Sequence, residues 1–259
     1  MEIGIGYKLS EAPIPVCDYE GSDYQERFWG RGDRAYEDGA EAAALRRLLP
    51  SAGEFLLELG AGAGRHTPRY AGYRRVALLD YSFSQLKQAR SRLGPDDRFE
   101  YIVGDIYHLP FQRGAFDAAT MIRTFHHMAD PQAALASAHR VLESGASFIL
   151  EYANKRNLKA ILRWLGGRQS WNPFDPEPVE FVELNFNFHP ESVRAWLQKT
   201  GFVVERQLAV SNFRLPLVKS LVPPRALVAV DTALQPTGRW IQLSPSVFVL
   251  AQVEGPSQT

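Results

Sequence analysis

The chain has 259 residues, 45% of them hydrophobic and 22% charged, an ordinary globular composition with enough length to bury a sizeable core. Its 29 Lys and Arg balance 29 Asp and Glu, so no net field draws it to nucleic acid or an anionic membrane. The single Cys17 excludes an internal disulfide, a cysteine-built zinc cluster and a CxxC redox pair.

In chain order, residues 1 to 20 are polar and broken by Gly and Pro, and are expected to be loosely ordered. Their start, MEIGIGYKLSEAPIPV, has no basic head and no apolar core segment, so a signal peptide is not expected. No run of about 18 apolar residues occurs either, and a cytoplasmic protein without stable membrane association is expected. A helix is predicted over Arg34–Leu49, with Leu45, Leu48 and Leu49 spaced for one face and Pro50 closing it. Short apolar runs then recur at Glu54–Leu59, Arg75–Leu79, Phe99–Val103, Phe116–Ile122 and Ser147–Tyr152, each read as a buried parallel strand. Helical segments are predicted between them at Arg65–Tyr70, Ser84–Leu93 and Pro131–Leu142. Strand and helix in rotation predict a doubly wound α/β sheet with right-handed crossovers.

After Glu151 the rhythm breaks. A basic, helix-like stretch (NKRNLKAILRWLGGRQ) is followed by an aromatic, Pro-rich one (WNPFDPEPVEFVELNFNF). His189–Thr200 reads as a helix with Pro190 in its first turn and Gly201 ending it. Phe202–Val210 reads as a sixth strand and Ser246–Val253 as the last, with a second irregular or helical insert between them. No internal repeat is visible.

The most informative stretch is ELGAGAGRH, residues 58 to 66, placed between the first strand and a predicted helix. Glycines at 60, 62 and 64 allow a tight turn and bring a ligand against main-chain N–H groups with no Cβ in the way. A dinucleotide fingerprint needs glycine at 65, where Arg65 stands. Glu58, two residues before the first glycine, meets a phosphate with like charge but suits an ammonium group. Asp80 follows Gly60 by 20 residues, at a strand end, where a carboxylate accepts hydrogen bonds from ribose hydroxyls.

Glu58-Leu-Gly60-Ala-Gly62-Ala-Gly64 resembles motif I of class I S-adenosylmethionine-dependent methyltransferases. LLDYS (78–82) is similar to the family's ribose-binding strand end, with Asp80 as the acid and Tyr81 placed to pack on the adenosine. GDIYHLPF (104–111) resembles the loop in which an Asp, here Asp105, meets the adenine amino group. Residues 116–150 resemble the strand-four to strand-five run of the small-molecule, type 11-like branch. The resemblance covers residues 54 to 152, with a weaker echo to the final strand. It implies a Rossmann-like seven-stranded sheet of order 3-2-1-4-5-7-6 with the seventh strand antiparallel, and S-adenosyl-L-methionine as cofactor. It places Glu58, Gly60, Ala61, Gly62, Gly64, Asp80, Tyr81, Gly104, Asp105, Ile106, Met121 and Ile122 around that cofactor. The single Gly145 departs from the family's usual Gly pair before strand five, which affects a turn more than the site.

On this reading residues 1–259 form one methyltransferase domain, with 1–50 as an N-terminal cap, 51–152 as the cofactor-binding core and the insertions 153–189 and 212–243 as a substrate lid. Tyr24, Phe28 and Trp29 are cap candidates. Trp164, Trp171, Phe174, Phe181, Phe186 and Phe188 either form the lid's own small core or line an apolar acceptor pocket. Lys155, Arg156, Lys159, Arg163 and Arg168 interleave with Leu158, Ile161, Leu162 and Leu165, as in an amphipathic helix packed on the domain; a mobile lid or an anionic or membrane-surface contact is the other reading.

The acceptor is expected to be a small, apolar or aromatic molecule, with oxygen, nitrogen and carbon all open as the methylated atom. TMIRTFHH stands where methyltransferases of nucleic-acid amines or glutamine carry an Asn/Asp-Pro-Pro-aromatic signature, so nucleic acid is not expected as partner. Cys17 lies outside the motif frame for pyrimidine C5 methylation. His126 and His127 follow the fourth strand and are the catalytic candidates, one of them as a base, His126 slightly favoured, or both as scaffold. Adjacent histidines at a strand end point in different directions and no carboxylate completes a set, so no metal is expected. His66 and His139 are read as surface or packing residues and His108 as a turn residue. The alternatives are a non-catalytic or regulatory S-adenosylmethionine-binding protein and a nicotinamide-dependent oxidoreductase, which Arg65 and Glu58 argue against. Nothing in the sequence speaks to oligomeric state.

Overall fold

Strand and helix alternate through the first half of the chain, as the apolar runs require. The structure, a computed structural model, describes residues 14–17, 19–22 and 34–255. Helix α1 (Ala35–Leu48) leads into β1 (Gly53–Leu59), β2 (Tyr73–Asp80), α2 (Phe83–Leu93), β3 (Phe99–Val103), β4 (Phe116–Met121), α3 (Pro131–Val141) and β5 (Leu142–Ala153). The second half carries α4 (Leu158–Leu165), a hairpin of β6 (Val179–Val182) and β7 (Asn185–Asn187), α5 (Pro190–Lys199), β8 (Phe202–Val210), α6 (Pro216–Leu221), α7 (Pro224–Leu234) and β9 (Ser246–Val253).

Seven strands form one sheet in the order β3-β2-β1-β4-β5-β9-β8, with β9 antiparallel to both neighbours. Counting strands of this sheet alone, that is the expected 3-2-1-4-5-7-6. The central strands are apolar on both faces because both are covered. One face buries Leu57, Leu59, Ala119 and Phe148 under α3 and α5; the other buries Leu56, Leu78, Ala118 and Phe248 under α1 and α7. Each such leucine or phenylalanine contributes about 1.5–3 kcal/mol of transfer free energy. Local chemistry sets the helix starts. Ser82 Oγ accepts from the Gln85 N–H, and the Asp130 carboxylate accepts from the Ala133 N–H with Pro131 in the first turn.

Four expectations need correction. The helix expected over Arg65–Tyr70 is only a 3₁₀ turn, Thr67–Tyr70. β5 starts at Leu142, earlier than expected, and passes Gly145 at φ +79°. α4 does not pack its leucines on the domain; only Ala160 is buried, while Leu158, Leu162 and Leu165 face outward. The six insertion aromatics form no single core. Phe188 is buried in the main core with Phe186 packed against it, Trp164 and Phe174 pair edge to face at 5.8 Å, and Phe181 is exposed. Tyr24, Phe28 and Trp29 lie outside the described residues.

Candidate active site

The carboxyl ends of β1 and β4 meet where the order of connection reverses, the crevice at which open α/β sheets bind ligands. A cleft opens there. Its floor and walls include Glu58, Gly60, Ala61, Gly62, Asp80, Tyr81, Gly104, Asp105, Ile106, Ile122 and His127, all foreseen from sequence. Gly64 and Met121 are not among its lining residues: Gly64 packs on Ala89 and Thr67, and Met121 is fully buried in the core. His126 does not line the cleft either; it sits behind His127.

The glycine loop works differently from the expectation. Its N–H groups are already used inside the protein: Gly60 and Ala61 donate to Leu79 O at 2.9 and 3.0 Å, and Gly64 donates to Ala61 O at 2.9 Å. The Gly62 N–H donates to Asp80 Oδ2 at 2.7 Å, while Asp80 Oδ1 accepts from the Ser82 N–H at 2.9 Å. The loop thus offers no array of amides to a phosphate; it offers bare Cα surface and a fixed carboxylate. A Cβ on Gly60 would clash with the Thr124 side chain, whereas one on Gly62 would meet no protein atom within 4 Å. Gly62, at φ +52°, therefore leaves open space toward the cleft.

Asp105 is engaged by its own turn: Oδ1 accepts from the Tyr107 N–H at 2.9 Å and Oδ2 pairs with His108 Nδ1 at 2.9 Å. Glu58, 5% exposed, accepts from Thr67 Oγ1 at 2.6 Å and Tyr70 OH at 3.3 Å. Burial pushes its carboxyl up to about 7 despite those two donors.

A charged cluster that sequence reasoning missed forms the wall beside Glu58. Glu41 of α1, fully buried, accepts from Arg65 at 2.7 Å and from both Nε (2.8 Å) and a terminal nitrogen of Arg123. Burial alone would raise its carboxyl; Arg123 and Arg65, then His66, hold it well below the usual carboxylate range. Arg123 is a non-glycine residue at φ +58°, and its N–H donates to Glu151 Oε2 at 3.0 Å. Arg65, His66 and Arg123 all line the cleft. His66 is a packing residue; its Nδ1 accepts from Arg69, and its Nε2 lies 3.4 Å from Glu41 Oε2 without hydrogen-bond alignment.

The two histidines occupy a 3₁₀ turn, Phe125–His127, and instead of diverging their rings lie 4.0 Å apart. His127 Nδ1 donates to the Leu184 carbonyl at 2.9 Å, which leaves Nε2 to accept from Tyr19 OH at 3.1 Å. That ring ties the strand-four exit to the β6–β7 turn and to the segment before α1. The same segment rests on α2, where Glu20 accepts from Ser82 Oγ at 2.8 Å, and Val16, Cys17 and Tyr19 line the cleft from above.

Against this geometry stand the relatives. Residues 57–150 match the family model described as "Methyltransferase domain". A ubiquinone/menaquinone biosynthesis C-methyltransferase of Paracoccus denitrificans is 31% identical over 171 residues, 62% of this chain and 68% of that protein. The chain belongs to the class I S-adenosylmethionine-dependent methyltransferases. A demethylmenaquinone methyltransferase of Clavibacter sepedonicus is 27% identical over 201 residues, covering 76% of this chain and 80% of that protein. The geranyl diphosphate C-methyltransferase of Streptomyces coelicolor shares the fold, with TM-score 0.57, 19% identity and coverage of 83% of this chain and 77% of that one. The family's cofactor is S-adenosylmethionine, and the cleft of this methyltransferase fits it: open space before Gly62, a fixed carboxylate at Asp80, and no amide array that would demand a phosphate.

The buried titrating groups set a pH dependence of stability. Burial holds His66 down at about 3, burial with His127 and Arg123 holds His126 well below 6.5, and burial lowers His127. The unfolded chain takes up these protons near pH 6.5 while the folded chain refuses them, so stability is complete above that pH and is lost on acidification. Each histidine held fully neutral costs about 2 kcal/mol between pH 6.5 and 5. Glu58 acts oppositely, because its folded value of about 7 exceeds the unfolded 4.5 and it stabilises as pH falls through that window. It offsets roughly one histidine, and the other depressed histidines leave stability falling as the pH drops from 7 to 5. Urea unfolding across that range measures it; Glu58→Gln steepens the loss and His66→Gln flattens it.

Proposed function

We propose that this methyltransferase transfers the methyl group to a small, apolar or aromatic molecule. The observation that carries the reading is the cleft itself, roofed by Val16, Cys17 and Tyr19 and walled by Ile106, Ile122 and Met128. The named substrate of one relative, demethylmenaquinone, is a small molecule of the same character. S-adenosylmethionine, when bound, supplies a methyl on a positively charged sulfur whose departure needs no further activation. The protein's task is therefore alignment.

In this reading Asp80 holds the ribose hydroxyls, with Tyr81 beside the adenosine and Gly104, Asp105 and Ile106 around the adenine. Gly60, Ala61, Gly62 and Ile122 form the apolar bed, while Gly64 and Met121 support it from behind. Glu58 faces the ammonium of the methionine moiety, and Arg65 and Arg123 face its carboxylate. Residues 1–50 serve as cap, and the insertions 153–189 and 212–243 as substrate lid, on one domain. His127 holds the acceptor end together: neutral at pH 7, with both ring nitrogens engaged, it positions Tyr19 over the cleft. His126, with no side-chain hydrogen bond among the described residues, is scaffold.

Methyl-labelled S-adenosylmethionine offered with a panel of quinols, phenols and prenylated acceptors tests the reading. Transfer is expected to at least one of them, unchanged within about twofold in His126→Ala but lowered about tenfold or more in His127→Ala and Tyr19→Phe, as befits a lost alignment rather than a lost nucleophile. Tight cofactor binding with no transfer across the panel would return the chain to the non-catalytic alternative.

A further inference from the structure

Helix α4 is built inside out. At roughly 100° per residue its Leu158, Leu162 and Leu165 fall within about 60° of one another, and Ala160, its one buried residue, lies on the opposite side. A surface helix of a globular domain turns its apolar stripe to the core. Here the stripe faces away from it: Leu162 is 60% and Leu165 68% exposed. The polar side is wholly basic. Lys159, Arg163 and Arg168 are exposed, no Asp or Glu occurs between Glu151 and Asp175, and none of these three cations makes an ion pair among the described residues.

The neighbouring segment extends the apolar surface. The Leu158 N–H donates to Leu243 O at 2.9 Å, which fixes the run 240–243 beside the helix start. In that run Trp240 is 72% exposed with the Arg239 guanidinium 5.7 Å from its ring, and Ile241 is also exposed. Leucines and a tryptophan projecting outward, flanked by arginines and lysines long enough to lift their charges to the headgroup level, match the interface of a bilayer rather than water. Both elements adjoin the carboxyl end of β5 and the start of β9, at the same sheet edge as the cleft.

We propose that α4 and the 240–243 segment form a docking surface for an anionic lipid bilayer, on which the enzyme sits reversibly with the apolar stripe in the acyl boundary. Neutral net charge does not oppose this, because attraction to anionic headgroups acts over about a Debye length, and α4 itself carries Lys159 and Arg163 with no acidic residue between Glu151 and Asp175. The contact stands on this surface and not on the acceptor's identity, though it would give the proposed apolar acceptor a short route from membrane to cleft.

The test is co-sedimentation of the full chain with vesicles of phosphatidylcholine containing about 30% phosphatidylglycerol, against vesicles of phosphatidylcholine alone. The protein is expected to pellet with the first and not the second, and to be released by raised salt. Leu162→Glu with Leu165→Glu should cut the bound fraction about tenfold, and Lys159→Glu with Arg163→Glu likewise, while melting temperature and S-adenosylhomocysteine affinity stay at the parent values, because these side chains touch neither core nor cleft. Pelleting that is absent, or equal for parent and variants, overturns the proposal. So does a dimer, seen by light scattering, that the leucine variant dissolves without any vesicle binding; the stripe is then a contact between copies of this chain.

Discussion

Asp80→Ala is expected to weaken S-adenosylhomocysteine binding by about 100-fold, or 2–3 kcal/mol, measured by titration calorimetry. The carboxylate does two things at once. It accepts from the Gly62 N–H at 2.7 Å and the Ser82 N–H at 2.9 Å, which fixes the glycine loop to the β2 end, and it lines the cleft where the proposed ribose hydroxyls fall. Charge-assisted hydrogen bonds of this length are the strong ones, and alanine removes the ligand contact together with the loop's anchor. A companion variant separates the two effects. Gly62→Ala keeps the carboxylate but puts a methyl into the open space; no protein atom within 4 Å blocks it, so the chain folds at a cost of about 1–2 kcal/mol for φ +52°. Its affinity loss then reports occupancy of that space alone. Unchanged dissociation constants in both variants would place the cofactor elsewhere and remove the assignment of the cleft.

The sheet was legible because its central strands are apolar on both faces, and because β1, β2 and β3 end at a glycine or an acid. Phe99–Val103, Phe202–Val210 and Ser246–Val253 run as expected to the residue. Motif spacing likewise named a little under half of the residues that line the cleft, since residues at consecutive strand ends of a doubly wound sheet converge whatever the side chains between them. Legibility failed where structure depends on distant partners. The β6–β7 hairpin turns at Leu184 with φ +53°, a residue that announces no turn; its carbonyl accepts from His127 Nδ1, 57 residues away, while Glu180 Oε1 accepts from its N–H at 2.7 Å. The stretch Arg65–Tyr70 looks helical by composition, yet Arg65 and Arg69 reach across to Asp38 and Glu41 of α1, and one 3₁₀ turn suffices to aim them. For α4 the amphipathic period was readable, but not which face the domain would cover. A periodicity says that two faces differ; only the tertiary contacts say which of them is inward.

The largest stability effect is expected at a residue no motif marks. Glu41→Ala should lower the unfolding free energy by about 3–5 kcal/mol, measured by urea denaturation at pH 7. Glu41 reads in sequence as one polar position in an alanine-rich helix, but its carboxylate is fully buried between Arg65, Arg123 and His66, from loops 24, 82 and 25 residues away. Removing it takes away the buried carboxylate that both guanidinium groups share, while Arg65 keeps Asp38 at 2.6 Å, and breaking a buried ion pair costs far more than the intact pair contributes. Glu41→Gln should recover part of the loss, since its amide oxygen can still accept from one arginine while the charge stays unbalanced. Arg123 adds a second consequence. Its backbone holds φ +58° with the N–H on Glu151, a conformation costing about 1–2 kcal/mol that the side chain's grip on Glu41 helps to maintain. Once released, the strand-four exit relaxes, and Thr124 under Gly60 and His127 under Tyr19 shift with it. The variant should therefore lose cofactor affinity beyond what unfolding accounts for, although Glu41 itself is not among the residues that line the cleft. Calorimetry below the melting transition separates these effects: a stability loss with parent affinity would show that the cluster holds the fold but not the site.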